Sequence, residues 1–254
     1  MAERLSILVV DDEAVILESI RKILSAEGFA VRTSPDAESA LTALRAQPPD
    51  IALLDLQLPI LSGMELLEIL RREFPPVAVI MMTGYSTVEN AVAALHNGAF
   101  DFLPKPFAFE ELLSAVQRAG RCVQLPVEMR VPGLPVDAGQ LYQLGMCAWA
   151  RVEQDDTALV GISNLCQRIV GEVMTIEWSM PRDQVQQGGR LVELAAADQL
   201  RHPVWSPLSG RVIERNHQVE ADASLLNRDP WGRGWLVRII PDNLKNELSN
   251  LRQV

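Results

Sequence analysis

Pro49-Asp50-Ile51-Ala52-Leu53-Leu54-Asp55-Leu56-Gln57-Leu58-Pro59 is the stretch whose reading decides the fold. Ile51 to Leu54 form a continuous apolar run, the pattern of a strand buried on both faces of a parallel sheet. Asp55 closes the run, and Pro59 stops the strand soon after. The spacing predicts Asp55 at the carboxyl end of a central strand, where open α/β sheets place their ligands. A carboxylate held there is costly unless a cation meets it.

The segments on either side supply the rest of such a sheet. Leu5 to Val10 is apolar and breaks into Asp11-Asp12-Glu13. A helical pattern follows, with Val15, Ile16, Ile20, Ile23 and Leu24 on one face and Gly28 past its end. Phe29 to Val31 reads as a second strand, and Asp36 to Ala46 as a helix stopped by Pro48-Pro49. Beyond Asp55, Gly63 starts a helix carrying Leu66, Leu67 and Leu70. Val77 to Met82 gives a fourth strand ending at Thr83-Gly84, and Val88, Ala91, Val92 and Leu95 keep helical spacing up to Asn97-Gly98. Asp101-Phe102-Leu103 runs into Lys105-Pro106, and a last helix carries Leu112, Leu113 and Val116. Strands alternating with helices five times predict an α/β, doubly wound parallel sheet of five strands.

Polar residues then fall where chemistry can use them. Asp11-Asp12, Asp55, Thr83 and Lys105 follow the first, third, fourth and fifth strands. In a parallel sheet these ends share one edge, so the residues are expected to converge. Three carboxylates in one pocket repel one another and form a hard-oxygen site suited to Mg²⁺. A lysine and a hydroxyl aimed at the same spot could hold the oxygens of a phosphoryl group, with Asp55 as the nucleophile that takes it. Singly, each has a blander reading: a loop acid, a helix-start threonine, a core phenylalanine.

Together, Asp-Asp-Glu at 11–13, Asp-Leu-Gln-Leu-Pro at 55–59 with Gly63, Thr-Gly at 83–84 and Gly98 to Phe107 closely resemble response-regulator receiver domains, flavodoxin-like in fold. The resemblance spans about residues 4–120. It implies that the phosphohistidine of a sensor histidine kinase donates to Asp55. It further implies that Asp11, Asp12, Asp55 and the backbone carbonyl of Gln57 hold Mg²⁺, and that Thr83 and Lys105 bind the phosphoryl. Phe102 would be an aromatic switch turning inward as Thr83 moves. Such domains often carry a cis Lys-Pro bond, here Lys105-Pro106. They are phosphoacceptors rather than enzymes, with at most slow autodephosphorylation.

Composition agrees with a globular protein and narrows its partners. The chain has 254 residues, 48% hydrophobic and 22% charged, with net charge −10. That charge divides as −7 through residue 122 and −3 beyond it, so neither half carries the basic footprint of a nucleic-acid binder. Cys122, Cys147 and Cys166 are odd in number, far apart and without a CxxC pair, which suits reduced, packed thiols. No stretch has signal-peptide or membrane-spanning character, so a soluble cytoplasmic protein is expected.

The division expected is a receiver at 1–122, a linker at 123–140 and a second domain at 141–254. The linker holds Pro126, Pro132, Gly133 and Pro135 and reads as a semi-extended connector. From Leu141 the pattern turns to short strands with Gly-rich turns: Trp149–Val152, Ala158–Gly161, Gly171–Ile176, Leu191–Leu194, a strand after Ser209-Gly210, and Trp235–Ile240. Ser163 caps a short helix in this reading, and Asp242 a C-terminal one.

Within that half, Cys147 to Glu153, Val160 to Ser163, Ser206 to Asn216 and Asp229 to Ile239 resemble the glycine cleavage H protein, in order and at similar spacing. The resemblance implies a mainly β, barrel-sandwich hybrid fold of the lipoyl-carrier kind. In that family a lysine on a hairpin before the Ser-Pro-x-Ser-Gly turn carries lipoic acid. Matching back from Pro207 puts that position at Gln199, whose amide is not nucleophilic, and the nearby Arg201 guanidinium stays protonated. The chain's lysines are Lys22, Lys105 and Lys245, so no lipoyl group is expected. His202 and His217 lack ligand-spaced partners and read as surface or turn residues. Trp149, Trp178, Trp205, Trp231 and Trp235 suit core packing more than a binding face.

Three functions follow. The first is a phosphorylation-switched regulator with a non-lipoylated output that binds an unnamed partner protein or ligand, with dimerisation or output exposure changing as the face around Thr83, Phe102 and the helix from Ser86 reshapes. The second is a signal-regulated lipoyl carrier of one-carbon metabolism. The third, a transcription factor, lacks a recognition-helix unit, a GxxxxGK loop and a basic stripe.

Overall fold

The computed structural model describes residues 4–84, 88–133, 140–180 and 183–254. It divides into two compact units, Met1–Ser86 with Asn97–Leu125 and Thr87–His96 with Pro126–Val254.

Residues up to Gln124 form β1 (Ser6–Val10), α1 (Ala14–Ala26), β2 (Ala30–Ser34), α2 (Ala37–Ala46), β3 (Ile51–Asp55), α3 (Gly63–Glu73), β4 (Ala78–Thr83), α4 (Val88–His96), β5 (Asp101–Pro104) and α5 (Phe109–Gln124). The five strands make one sheet in the order β2-β1-β3-β4-β5, every pairing parallel. Each residue of β3 and β4 is buried, as a continuous apolar run in the middle of a two-faced sheet requires. Edge strand β2 is more open.

Helix starts follow local chemistry. The Asp36 carboxylate accepts the Ser39 amide at 2.7 Å, capping α2. Ser62 and Glu65 form a reciprocal capping box on α3, with Ser62 N donating to the Glu65 carboxylate at 2.8 Å. Glu13 and Ala108, by contrast, offer no side-chain cap to α1 and α5. The chain order reverses between β1 and β3, so the crevice at their carboxyl ends is the topological switch point. The register fixes who meets there: Val10 pairs with Leu54, Asp55 with Met82 and Thr83 with Pro104.

The second half is mostly antiparallel β. Its elements are β6 (Leu141–Leu144), β7 (Ala148–Val152), β8 (Ala158–Ile162), α6 (Asn164–Val170), β9 (Val173–Trp178), β10 (Gln184–Val185), β11 (Arg190–Ala196), β12 (Arg201–Trp205), β13 (Gly210–Arg215), α7 (His217–Ala221), α8 (Leu225–Arg228), β14 (Trp235–Pro241), α9 (Leu244–Leu248) and β15 (Arg252–Gln253). Seven strands form one sheet, β10-β13-β14-β8-β7-β6-β15, and three another, β12-β11-β9. Trp149 is fully buried, donates to the Ile162 carbonyl at 2.8 Å and stacks on Trp231. Leu141, Leu159, Trp235 and Val254 complete that cluster.

Some local expectations change. The last helix of the first half runs to Gln124, followed by a 3₁₀ turn at Val127–Met129 rather than an extended connector. Gly133 N then donates to Asn164 Oδ1 at 3.0 Å, while residues 134–139 lie outside the described set. Ser163 caps α6 as expected, its Oγ accepting the Cys166 amide. Asp242 does not cap α9; Asn243 takes the cap position, and Asp242 accepts from Gln184 Nε2 at 2.8 Å. Trp178 and Trp205 are half-buried under the guanidinium groups of Arg215 and Arg190, 5.5 and 5.6 Å from the ring centres.

Candidate functional site

Asp55 and Thr83 are the last residues of β3 and β4, and Asp11, Asp12 and Lys105 lie just past the same ends of β1 and β5. Asp11 is fully buried and Asp55 and Thr83 nearly so, while Asp12 is exposed. The carboxylates of Asp11, Asp12 and Asp55 offer oxygens that all lie within 4.8 Å of one another. Among the described residues this is the cluster with a metal-binding spacing. An all-oxygen, acidic donor set of this kind fits a hard divalent cation such as Mg²⁺.

Lys105 reaches into the same pocket. Its ammonium lies 2.6 Å from Asp11 Oδ2 and 3.0 Å from Asp55 Oδ1. Backbone bonds hold it there, since Lys105 N donates to the Thr83 carbonyl at 2.7 Å and Leu56 N to the Met82 carbonyl at 2.8 Å. The Lys105-Pro106 peptide is cis. Asp11 also accepts the Glu13 amide at 3.0 Å.

The charges perturb one another. Burial raises the Asp55 pKa, and Asp11 pushes the same way, against the pull of Lys105 and of the Gln57 amide, which bonds the carboxylate. Burial alone would lower the Lys105 pKa, but its bonds to Asp11 and Asp55 outweigh that and raise it. An acid held above its ordinary range beside a firmly charged lysine is a perturbed pair of the kind that marks functional sites.

Gly63 has a second role here that helix-start reasoning missed. A methyl group on it would overlap the Asp55 carbonyl oxygen and crowd Leu56 Cα. Gly63 N bonds the Leu56 carbonyl at 3.0 Å, so α3 begins pressed against the backbone of Asp55. The sequence signal was the glycine's place in the motif that begins at Asp55; Ile60, between them, sits at φ 71. Phe102 is buried. Ser86 lies outside the described residues.

In the second half, Gln199 is exposed at the tip of the β11–β12 hairpin with φ 66. Gln199 N donates to the Ala196 carbonyl at 3.0 Å, and Leu200 N to Asp198 Oδ1 at 3.0 Å. Arg201 is engaged by Glu177 and Glu193. Lys22 lies on α1, Lys105 in the acidic pocket and Lys245 on α9, none on this hairpin. His217 is exposed beside Glu220, but His202 is not the surface residue expected. It is fully buried, with Nε2 3.3 Å from Asp198, because the strand after the hairpin turns it inward.

Comparisons with known proteins match two separate parts of the chain. Residues 7–117 match the response regulator receiver domain family and residues 141–254 the glycine cleavage H-protein family. The nitrogen assimilation regulatory protein NtrX of Azorhizobium caulinodans is 43% identical over 126 residues, 49% of this chain and 28% of that protein. The probable transcriptional regulatory protein TcrX of Mycobacterium tuberculosis is 41% identical over 108 residues, 42% of this chain and 46% of that one. The chain thus spans less than half the length of these curated relatives. The crystal structure of the receiver domain of NtrX from Brucella abortus is 41% identical, covering 44% of this chain and 96% of that one, with a TM-score of 0.43. No described helix is long and apolar enough to cross a membrane. Residues 7–117 are a response regulator receiver domain, and residues 141–254 that follow them are a glycine cleavage H-protein domain.

Proposed function

We propose that this chain is a two-component response regulator that accepts a phosphoryl group on Asp55 from the phosphohistidine of a sensor histidine kinase. The observation that carries the reading is the pocket itself: three carboxylates within 4.8 Å of one another and a lysine ammonium 3.0 Å from Asp55. A divalent cation held by Asp11, Asp12, Asp55 and the Gln57 carbonyl would offset the negative charge that acids and phosphoryl oxygens bring together.

An Asp55 oxygen forms the new O–P bond as the P–N bond to the donor imidazole breaks, and the nitrogen leaves with the bonding pair. Lys105 gives up part of its pairing with Asp11 and Asp55 to hold a phosphoryl oxygen, and the Thr83 hydroxyl donates to another. Moving Thr83 changes the room beside Phe102, the proposed switch, and with it the population of receiver conformations.

The H-protein domain is proposed as a binding module without a lipoyl group, because Gln199 stands at the hairpin tip and the chain's three lysines lie elsewhere. Its partner is a protein or ligand that reads the phosphorylation state, with phosphorylation-dependent dimerisation as the accompanying change. The proposed division is 1–122, 123–140 and 141–254, in a cytoplasmic protein that acts without nucleic acid or membrane.

Acetyl phosphate with Mg²⁺ and intact mass tests the reading. The native chain is expected to gain one phosphoryl group and Asp55→Asn none. Labelling that persists in Asp55→Asn removes Asp55 as the acceptor.

A further inference from the structure

Between β5 and α5 lies a buried polar network that the phosphoryl pocket does not use. Arg118 is 4% exposed, Asp101 5% and Ser114 0%. One guanidinium nitrogen of Arg118 is bonded to Asp101 Oδ2, and the other donates to Ser114 Oγ at 2.6 Å. The second Asp101 oxygen, Oδ1, accepts the backbone N–H of Phe102 at 2.8 Å. A guanidinium on α5 is therefore tied through one carboxylate to the main chain of the residue proposed as the aromatic switch.

Burying an ion pair in a sheet–helix seam is an inefficient way to gain stability. Desolvation offsets most of the attraction, and a well-packed apolar pair of similar volume often does as well. What the pair adds is geometric definition. Arginine's planar fork fixes two acceptors at once, which a single apolar contact does not. The segment it defines is the edge strand of the sheet, where β5 has one neighbouring strand, β4, to hold it in register. In that register Phe102 pairs with Met81, two residues before Thr83. A shift of β5 at Phe102 is therefore felt at Thr83 and at Lys105, three residues further on.

We infer that Arg118 is a positioning residue for the switch: through Asp101 it pins the backbone of Phe102, so that the ring changes place only when the phosphoryl pocket drives it. The inference rests on the reading of Phe102 as the switch, and it is tested on the unphosphorylated protein.

The test places 4-fluorophenylalanine at position 102 of the full chain and follows its ¹⁹F resonance without phosphoryl donor. The native network is expected to give one ring environment. Asp101→Leu with Arg118→Met replaces both charges by apolar groups and is expected to keep a cooperative melt while splitting or broadening the resonance. An unchanged single resonance in that folded double variant overturns the inference and leaves the pair a packing feature. Should the double variant melt without cooperativity, Ser114→Ala keeps both charges and removes one acceptor of the fork. It is then expected to broaden the resonance, and an unchanged line overturns the inference equally. Acetyl-phosphate labelling of Asp55 in the same samples reads the phosphoacceptor role separately: its loss in the native chain would sink that role, whatever the ring does.

Discussion

The ammonium of Lys105 lies 2.6 Å from a carboxylate oxygen of Asp11, a residue with no exposed surface. Neither charge is tolerable alone at that depth. Removing one partner of a buried pair leaves the other uncompensated, which typically costs about 3–5 kcal/mol. Since 12% of the Lys105 side chain reaches water, Lys105→Met is expected at the low end, ~3 kcal/mol, in the absence of divalent cation. Mg²⁺ should restore more stability to Lys105→Met than to the native chain, because the lysine no longer competes for the acids. Thermal melts in EDTA and in millimolar Mg²⁺ check this. Equal melting of the two proteins in EDTA would mean that Lys105 does not neutralise the pocket.

Asp55 sets a pH dependence of opposite sign to the usual acid. Burial raises its folded-state pKa above the 3.8 of the free side chain, with Asp11 adding to the shift and Lys105 and the Gln57 amide opposing it. The folded state then holds the proton more tightly than the unfolded chain. The group's favourable contribution is complete below pH 3.8 and is lost as pH rises through the folded value. Asp55→Asn keeps the shape without the charge, so it should be more stable than the native chain at neutral pH. That advantage should shrink towards pH 4. Urea midpoints in EDTA across this range decide it, and a native chain that outlasts Asp55→Asn at pH 7 contradicts the raised pKa.

The receiver half was legible because its signals reinforce one another. A buried run such as Ile51–Leu54 has one good explanation in a parallel sheet, and once the strands are parallel their polar ends must share an edge. The second half offered weaker signals. Strands as short as Gln184–Val185 and Arg252–Gln253 carry no period, and α7 and α8 are too brief to show one. Burial of His202 depends on which way the hairpin strand faces, which one residue of register decides. The Arg118 network was within reach. Ser114 and Arg118 are four residues apart on an otherwise apolar face of α5, and Asp101 is the acid at the start of β5. Read singly, each passes for a surface residue.

Gly63 limits how α3 can begin. Any Cβ at that position would overlap the Asp55 carbonyl oxygen, which belongs to the backbone and cannot rotate away. Gly63→Ala must therefore move either α3 or the strand end that carries Asp55. Overpacking ordinarily costs about 1–3 kcal/mol, and a clash with main chain belongs at the upper end of that range. The variant is also expected to slow acetyl-phosphate labelling well beyond any loss of folded protein, because Asp55 shifts relative to Lys105 and the other acids. Native-like labelling rates in a folded Gly63→Ala would show that the close approach at Asp55 is not needed for the pocket.

The hairpin tip at Gln199 gives the sharpest separation between a binding module and a carrier. Its backbone is in the left-handed region at φ 66, which a lysine accommodates about as well as a glutamine, and its side chain is exposed. If the loss of carrier function lies in this one side chain, Gln199→Lys should become a substrate for lipoate attachment while the native chain stays unmodified. Incubation with lipoate, ATP and a lipoate ligase, followed by intact mass, measures both. An adduct on the native chain would make it a carrier through another residue and would sink the binding-module reading. No adduct on a folded Gln199→Lys would mean that the hairpin's surroundings, including the Asp198 and Arg201 charges on either side, exclude the ligase as well.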